Sequence, residues 1–341
     1  MSDTVSFSEV QGTFIYESRD ECFDARLVTD DSDKKARDSP YVIAAMPAFN
    51  EELYIAKTIL GAEALVDRVV VVDDGSTDET ANIAERMGAT VIRHPENGGY
   101  GAALKTIFEV ARAMDVDVLV ILDSDGQHTP RDIGQVLDPV LRNKADVVIG
   151  SRFLDNAPRD HIPSYRKVGM KVLDTATALA SGMQVSDTQS GFRAYGRQAI
   201  DAVHLNGSGM SAGSEILIQI SDHNLRIAEV PIHVRYDIEE TSTEHPVKHG
   251  LLVLYDIAAL IGYRRPLLAF GIPGASCVIL AMALGFWAFS DYYATTRFSF
   301  VSSMGSAMFL ILGLLLMSVG LILNYLVVFV KDQSKEAAES T

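Results

Sequence analysis

The chain has few cysteines, few tryptophans and a shortage of basic residues. Its 341 residues include 2 cysteines and 1 tryptophan, and 29 lysines and arginines stand against 45 aspartates and glutamates, a formal net charge of −16. Cys22 and Cys277 lie far apart, which argues against a disulfide framework or a thiolate metal site. The excess of acid would repel phosphate and excludes nucleic acid as a main partner. It is typical of a salt-rich cytoplasm and weakly favours a halophilic archaeal source, although mild acidity is also common elsewhere.

Two long apolar runs near the C-terminus contain no charged residue. They extend over 267–289 and 304–330, with a short polar loop between them. Each run is long enough to cross the roughly 30 Å hydrocarbon layer of a bilayer as a helix, which satisfies its own backbone hydrogen bonds. A helical hairpin buried in a large soluble core is the alternative. We predict a transmembrane hairpin of two helices.

Basic residues flank the two runs at their outer ends, whereas the connecting loop has only Arg297. The positive-inside rule therefore predicts that both termini are cytoplasmic and that the loop is outside. No basic, apolar, cleavable leader opens the chain, so we expect the N-terminal part not to be exported. The expected protein is a multi-pass protein of the cell membrane. The flanking basic residues are Lys248, Arg264, Arg265, Lys331 and Lys335.

Composition divides the remainder of the chain. Residues 1–39 are dense in charge and predict an acidic N-terminal extension. The alternative is a short hairpin, formed by 12–16 and 22–28, that packs on the main domain. Residues 40–240 have the length of one α/β domain.

Two segments border the apolar runs. In 241–266, apolar residues recur at helical spacing, which predicts an amphipathic juxtamembrane helix in the headgroup layer. The alternative is a helix packed on the preceding domain. Residues 331–341 are expected to form a cytoplasmic tail.

From Tyr41 onwards, continuous apolar runs alternate with segments of helical periodicity. This pattern is typical of an α/β fold with a mostly parallel sheet covered on both faces. Ligands of such sheets bind beyond the carboxyl ends of the strands, and four polar clusters follow predicted strands. The predicted strands are 41–45, 68–72, 90–93, 118–122 and 146–149, and the predicted helices are 51–65, 77–87 and 100–114.

The first of these clusters is Asp123-Ser124-Asp125. Two carboxylates two residues apart at a strand end can point the same way. Hard oxygen ligands of this kind suit Mg²⁺ or Mn²⁺, and a diphosphate would supply further oxygens. Gln127 follows closely and is a candidate third ligand. A solvated acidic loop is the alternative.

Three other clusters follow neighbouring strands. In the run 73–76, Asp-Asp-Gly-Ser, the carboxylates could bond ribose hydroxyls or a base edge, although Ser76 or Asp78 could instead cap a helix. In the run 47–51, Pro-Ala-Phe-Asn-Glu, Asn50 has the same alternative. The run 97–101, Asn-Gly-Gly-Tyr-Gly, is similar to a phosphate loop before a helix, or is a plain turn. It matches neither the dinucleotide fingerprint nor the Walker loop.

In this order, the motifs resemble those of family 2 glycosyltransferases with the GT-A fold, and within them the dolichyl-phosphate mannose and dolichyl-phosphate glucose synthases. The resemblance covers about Tyr41 to Tyr236 and includes Gly-Ser-Arg-Phe at 150–153 and Asp-Thr-Gln-Ser-Gly-Phe-Arg at 187–193. Some members of that group carry membrane helices after the catalytic domain. The resemblance implies a GT-A glycosyltransferase domain over 40–240, a nucleotide-sugar donor and a polyprenyl-phosphate acceptor.

The resemblance also implies a role for each matching residue. Residues implied to bind the nucleotide sugar are Pro47, Asn50, Glu51, Asp73, Asp74, Gly99, Asp123 and Ser124. The implied ligands of Mg²⁺ or Mn²⁺ are Asp123, Asp125 and Gln127. Arg152 and Arg166 are implied to bind the acceptor phosphate. The implied acceptor loop contains Ser190, Gly191 and Arg193. The catalytic set is Asp125, Arg152 and Arg166.

The chemistry of such an acceptor is consistent with this set. A phosphate monoester is largely dianionic at pH 7 and needs no protein base to activate it. It needs positioning and neutralisation, which suit arginine, while a metal stabilises the nucleoside diphosphate as it leaves. The prediction is in-line attack on the sugar C1 with inversion.

The sequence after Val230-Pro231-Ile232 bears on the donor. Mannose synthases typically have Gly-x-Ser-Lys soon afterwards, and this chain does not. UDP-glucose is therefore favoured over GDP-mannose, for protein N-glycosylation or other surface glycans, with a GDP-mannose-dependent synthase as the alternative. A processive polysaccharide synthase is disfavoured because the Gln-x-x-Arg-Trp motif is missing. A non-catalytic membrane scaffold is disfavoured by the intact motif residues. The sequence leaves the oligomeric state open, and a homo-oligomer is one possibility.

Overall fold

A computed structural model describes residues 6–10, 13–17, 39–154, 174–175, 177–178, 182–183, 185–205, 212–235, 266–296 and 298–339. Within these, only the backbone is described for 6–10, 13–17 and 330–339. The chain divides into two compact units between Leu254 and Tyr255. The predicted juxtamembrane helix, apart from Pro266, and the predicted acceptor residue Arg166 lie outside the described residues.

The first unit contains a sheet that has nine strands in the described ranges, in the order β1-β2-β5-β4-β3-β6-β8-β7-β9. The strands are β1 Ser6–Val10, β2 Thr13–Glu17, β3 Val42–Ala48, β4 Arg68–Asp73, β5 Thr90–Arg93, β6 Val118–Ile121, β7 Val147–Ser151, β8 Arg193–Gly196 and β9 Ile227–Pro231.

The centre of the sheet is parallel, as predicted. Strand β3 pairs in parallel with β4 and β6, and β4 pairs in parallel with β5. Strand β8 lies between β6 and β7 and is antiparallel to both. Two strands were not predicted from the sequence: β8, which has four residues and includes Arg193, and β9, which contains Glu229 and Pro231. Neither strand is a continuous apolar run.

At one edge of the sheet, β1 and β2 form an antiparallel hairpin, and β2 pairs in parallel with β5. Two stretches of the predicted N-terminal extension therefore join the sheet as strands, with β1 outermost. The second arm of the alternative hairpin, at 22–28, lies outside the described residues.

The helices of the first unit cover both faces of this sheet. Those with described bounds are α1 Ile55–Glu63, α2 Thr80–Arg86, α3 Tyr100–Ala113, α4 Ile133–Leu141, α5 Arg197–Ala202 and α6 Ala212–Asp222. Helices α1 and α2 begin three or four residues later than predicted, and neither has a side chain bonded at its N-cap. Asn50 and Ser76 are therefore not helix caps, whereas Asp78 supports the start of α2, because its Oδ1 accepts a hydrogen bond from the Thr80 N–H at 3.0 Å.

Alternate residues of the central strands enter two different cores. Ile43 and Ala45 face α3, α5 and α6, whereas Ala44 and Met46 face α1, α2 and α4. Side chains of the size of Ile43 and Met46 each contribute roughly 1.5–3 kcal/mol when fully buried. Burial on both faces explains why the strands read as unbroken apolar runs.

In its described residues, the second unit is a helical hairpin. A π-helical turn, Leu267–Gly271, leads into α7 Ile272–Thr295, and α8 is Phe300–Glu339. The apolar 18-residue windows within Leu267–Thr295 and Phe300–Phe329 have mean hydropathies of 2.2 and 2.5. Both helices are long and apolar enough to cross a membrane.

The two helices of the hairpin approach each other closely at two glycines. A Cβ atom added to Gly313 would lie 2.7 Å from the carbonyl oxygen of Gly274. The Ser306 Oγ donates a hydrogen bond to the Ala281 carbonyl oxygen at 2.8 Å. Large apolar side chains of this unit point outwards, among them Trp287, which is 69% exposed, and Tyr293, which is 83% exposed.

Candidate active site

The polar motifs meet where the central parallel strands end. The Asp123–Asp125 motif follows β6, and the Ser124 Oγ donates a hydrogen bond to the Pro47 carbonyl oxygen of β3 at 2.7 Å. Both Pro47 and Ser124 are buried. These two predicted nucleotide-sugar residues thus join neighbouring strand ends, as the parallel topology requires.

The loops after β3 and β4 are joined by side chain to backbone hydrogen bonds. The Asn50 N–H donates to the Ser76 Oγ at 2.9 Å, and the Asn50 Oδ1 accepts from the Thr77 N–H at 2.9 Å. The Glu51 N–H donates to the Thr80 Oγ1 at 2.7 Å. Asn50 has a φ of 57°, in the left-handed region that asparagine tolerates better than most residues. Its side chain therefore builds the loop that presents Glu51.

Asp73 is completely buried at the end of β4. Its Oδ1 accepts a hydrogen bond from the Ser76 N–H at 3.2 Å, and its Oδ2 lies 3.1 Å from the Arg93 Nε. Burial raises the pKa of Asp73, while Ser76 and Arg93 oppose the rise. Asp73 therefore supports the turn from within.

The neighbouring Asp74 binds the glycine-rich turn. Its Oδ1 and Oδ2 accept hydrogen bonds from the Gly98 N–H at 3.0 Å and the Gly99 N–H at 2.7 Å. The His94 Nδ1 lies 2.6 Å from the Asp74 Oδ1. The amides of this run, for which a phosphate loop and a plain turn were both predicted, are thus engaged by a carboxylate of the protein.

Asp123 is held on both of its carboxylate oxygens. The Tyr100 hydroxyl donates to Oδ1 at 3.4 Å, and the His128 Nε2 donates to Oδ2 at 3.2 Å. Burial by itself would raise the pKa of Asp123, but the hydrogen bond and charge of His128, with Arg152 and Tyr100, hold the pKa below its ordinary value. A Cβ atom at Gly191 would lie 2.3 Å from the Asp123 Oδ2, so only glycine leaves room for this carboxylate.

Negative charge accumulates beside Asp123. Burial and then the charge of Asp123 raise the pKa of Asp125 to about 6. Burial, followed by the charges of Asp125 and Asp123, raises the pKa of Glu51 to about 7. Because burial and neighbouring carboxylates raise the pKa of both Asp125 and Glu51, the cluster has a negative potential that a cation would relieve.

The donor set fits a hard divalent cation that shares its ligands with a substrate. Within the described ranges, no three acidic, histidine or cysteine side chains are grouped closely enough to hold a metal by themselves. Asp123 and Asp125 would therefore be completed by oxygens from Gln127, from a diphosphate or from water. The Gln127 N–H donates to the Asp125 Oδ1 at 2.9 Å, which orients that carboxylate.

The segment after β9 supports the same loop. The Gln127 carbonyl oxygen accepts from the Arg235 N–H at 2.9 Å, and His128 pairs with Val234 in an isolated antiparallel bridge. The His128 ring packs edge-on against Phe192, with 5.3 Å between ring centroids. The metal-ligand candidates are thus fixed from two directions.

Arg152, predicted to grip an acceptor phosphate, is oriented by a buried aspartate. Its Nε and Nη2 each donate to Asp187 at 2.7 Å, and its backbone N–H donates to the same carboxylate at 3.0 Å. Bidentate pairing of this kind fixes the plane of a guanidinium. Arg152 also lowers the pKa of Asp123, so its charge acts on the acidic cluster.

Arg193, predicted in the acceptor loop, is buried beneath that loop. Its guanidinium donates to the carbonyl oxygens of Ser190, Gly213 and Thr188 at 2.8, 3.0 and 2.6 Å. These bonds fix the shape of the loop that places Gly191 against Asp123.

Sequence reasoning missed several residues that organise this site. His128, Tyr100 and Asp187 stand inside the quoted motifs, so their position in those motifs was an available signal. His94 and Thr106 belong to no motif, and only the folded chain brings them together.

The comparisons with known proteins agree with this geometry. The family model for glycosyl transferase family 2 matches residues 43–203. A UDP-N-acetylglucosamine–dolichyl-phosphate N-acetylglucosaminyltransferase of Methanococcus voltae is 31% identical over 66% of this chain and 95% of its own length. A dolichyl-phosphate hexose transferase of Haloferax volcanii is 33% identical over 58% of this chain and 85% of its own.

A solved structure of a glucosyl-3-phosphoglycerate synthase from Mycobacterium tuberculosis, with Mn²⁺ and UDP-glucose, has a TM-score of 0.52 and 24% identity, over 65% of this chain and 78% of that one. At this identity the likeness concerns the fold. The chain belongs to the family 2 glycosyltransferases, and it is an enzyme with a GT-A-like, mostly parallel sheet. The predicted fold and family are confirmed.

Proposed function

We propose that this glycosyltransferase moves a sugar from a UDP-sugar to dolichyl phosphate, or another polyprenyl phosphate, at the cytoplasmic face of a membrane. The observation that carries the proposal is the acidic cluster of Glu51, Asp123 and Asp125 beside the Asp187-oriented Arg152. The names of the relatives from Methanococcus voltae and Haloferax volcanii support a dolichyl-phosphate acceptor. UDP-glucose is the favoured donor, and UDP-N-acetylglucosamine is the second candidate because the first of these relatives uses it.

The residues divide the work between donor and acceptor. Asp123 and Asp125 would hold Mg²⁺ or Mn²⁺, and such a cation, when bound, stabilises the charge of the leaving diphosphate. Tyr100 and His128 keep Asp123 in place. Arg152 neutralises and orients the acceptor phosphate, whose dianion attacks C1 of the sugar without a protein base. Attack opposite to the leaving diphosphate inverts the configuration at C1.

A donor screen tests this function. The full chain is reconstituted in vesicles that contain dolichyl phosphate, and UDP-glucose, UDP-N-acetylglucosamine and GDP-mannose are compared with Mn²⁺ or with a chelator. We expect metal-dependent release of UDP that requires the lipid phosphate. Release of GDP from GDP-mannose alone would replace the proposed donor. No transfer from any nucleotide sugar would favour a non-catalytic role.

The acceptor role of Arg152 is tested by substitution. Arg152→Ala should lower the use of dolichyl phosphate and leave UDP binding, measured by calorimetry, within about twofold. The matched control is Arg226→Ala, which removes another arginine that pairs with an aspartate, Asp146, through Nε and Nη2. Equal losses of donor and acceptor binding in Arg152→Ala would contradict the role.

The hairpin gives the proposal a membrane position. At 1.5 Å per residue, the helix from Leu267 to Trp287 is roughly 30 Å long, the thickness of the hydrocarbon layer. Exposed aromatic side chains, Trp287, Tyr292 and Tyr293, then mark the turn end of α7. Tryptophan and tyrosine favour the membrane–water interface, so we place this end there.

The chain has 1 tryptophan, so its fluorescence reports the depth of Trp287 directly. In vesicles with lipids brominated at different depths, we expect the strongest quenching from bromines near the headgroups. Strongest quenching from bromines at the bilayer centre would contradict a hairpin that crosses the whole bilayer.

A further inference from the structure

A buried histidine outside the known motifs joins two parts of the site. His94, directly after β5, is 5% exposed. Its Nδ1 lies 2.6 Å from the Asp74 Oδ1, and its Nε2 lies 2.9 Å from the Oγ1 of Thr106 on α3. Its backbone N–H donates to the Asp73 carbonyl oxygen at 2.8 Å. Because both ring nitrogens have buried partners, the imidazole has one orientation.

The next contact runs from Asp74 to the glycine-rich turn. The oxygen that faces His94 also accepts from the Gly98 N–H, and the other oxygen accepts from the Gly99 N–H. A carboxylate held from one side by an imidazole cannot rotate freely on its other side. His94 therefore fixes Asp74 in the position that the turn requires.

The Gly98–Gly99 turn fixes the start of α3. Gly99 immediately precedes that helix and Tyr100 is its first residue, while Thr106 lies two turns further along the same helix. The Tyr100 hydroxyl reaches the Asp123 Oδ1. The helix is thus held to His94 at Thr106 and, through Asp74, at its first turn.

We propose that His94 is a positioning residue for the cation and donor diphosphate, acting through Asp74, the Gly98–Gly99 turn and Tyr100 on Asp123. The inference rests on the proposed function, because it assigns His94 to the donor side of that reaction. His94 does not touch a ligand in this scheme. Arg152 and Asp187 bond to each other outside this chain of contacts, so acceptor use should not depend on His94.

The first test compares two buried threonines. Thr106→Val removes the hydroxyl that faces His94 and keeps the side-chain shape, and Thr106→Ser restores the hydroxyl. The control is Thr58→Val on α1, where the lost hydroxyl bonds only to the Tyr54 carbonyl oxygen of its own helix. We expect Thr106→Val, and neither of the other two variants, to weaken Mn²⁺–UDP binding.

The second test replaces the histidine in the full chain. In His94→Ala we expect about tenfold weaker Mn²⁺ binding in the presence of UDP, measured by electron paramagnetic resonance, and a similar rise in the donor KM. The KM for dolichyl phosphate should stay within about twofold. His94→Asn, which keeps a donor near the position of Nδ1, should recover most of the loss.

The outcomes separate this inference from the proposed function. Wild-type protein that binds no Mn²⁺–UDP overturns both. If Thr106→Val and His94→Ala bind Mn²⁺–UDP as tightly as the wild type, the positioning role alone is overturned. This holds even if both variants melt at a lower temperature. Equal increases in the donor and acceptor KM would also overturn it, because a general loss of structure affects both sides.

Discussion

The two units of the chain use the same apolar residue types in opposite ways. In the first unit, side chains such as Ile43 and Val70 are completely buried between the sheet and its helices. In the second, Trp287, Tyr293 and Val301 are 69%, 83% and 83% exposed. A water-soluble surface rarely has so large an apolar patch. The exposed surface of the second unit is therefore suited to an apolar environment.

The two units also differ in how many acidic residues they contain and where these lie. The first unit concentrates acids at the carboxyl ends of its strands, where burial and neighbouring carboxylates raise the pKa of Glu51 and of Asp125. The described part of α7 and α8 within the candidate spans contains one acid, Asp291. We therefore expect the chemistry in the first unit and the membrane contact in the second, and variants can separate the two.

The largest expected effect is in the acidic cluster. Asp125→Ala should lower transfer by about 100-fold or more, because the leaving diphosphate loses charge stabilisation. Membrane association should not change, since α7 and α8 are intact. Transfer and thermal melting are measured on the same reconstituted sample. A variant that fails to fold would show that the aspartate is structural instead.

A smaller loss of transfer activity is expected when the Asp123 side chain is displaced but kept. In Gly191→Ala, the new methyl group would lie 2.3 Å from the Asp123 Oδ2, so the end of that side chain must move. We expect roughly 10-fold to 100-fold slower transfer with little change in melting temperature. Gly134→Ala is the control, because a Cβ there meets nothing within 4 Å. Equal activity of the two variants would contradict the close fit.

The second unit should respond to substitutions that leave donor binding unchanged. Gly313→Ala would bring a methyl group to 2.7 Å from the Gly274 carbonyl oxygen and should destabilise the hairpin by about 1–3 kcal/mol. Gly305→Ala on the same helix is the control, because its nearest contact is an ordinary 3.7 Å. Unfolding in detergent measures the hairpin, and Mn²⁺–UDP binding should be equal in both variants.

The smallest expected effect is a pH dependence of the metal-free enzyme. The pKa values of Glu51 and Asp125 are raised to about 7 and about 6, so the folded state binds protons more tightly than the unfolded state. Their contribution to stability is present at low pH and is lost as the pH rises through about 6 and 7. The melting temperature should fall by a few degrees, and Mn²⁺ should restore it at pH 8 more than at pH 5.5. Asp125→Asn should have a flatter profile, and an equal slope would contradict the assignment.

Sequence patterns predicted much of the first unit because they are local. The central strands were located to within a few residues, since burial on both faces leaves unbroken apolar runs. The clusters after those strands had to converge, because parallel strands end at one edge. Strand β8 was missed because it is short and contains Arg193, whose burial depends on carbonyl oxygens from Thr188 to Gly213. The roles of the site residues toward substrates stay predictions.

The sequence by itself determined the class of enzyme, the edge of the sheet that carries the site and the two apolar helices, because motif order, strand periodicity and helix length are all written along the chain. Only the tertiary structure decided which side chains build the site and which are left to act in it. Asp74 is engaged with His94, and Arg152 with Asp187, across 20 and 35 positions of sequence. Such pairings depend on how strands are ordered in space, which no local pattern records.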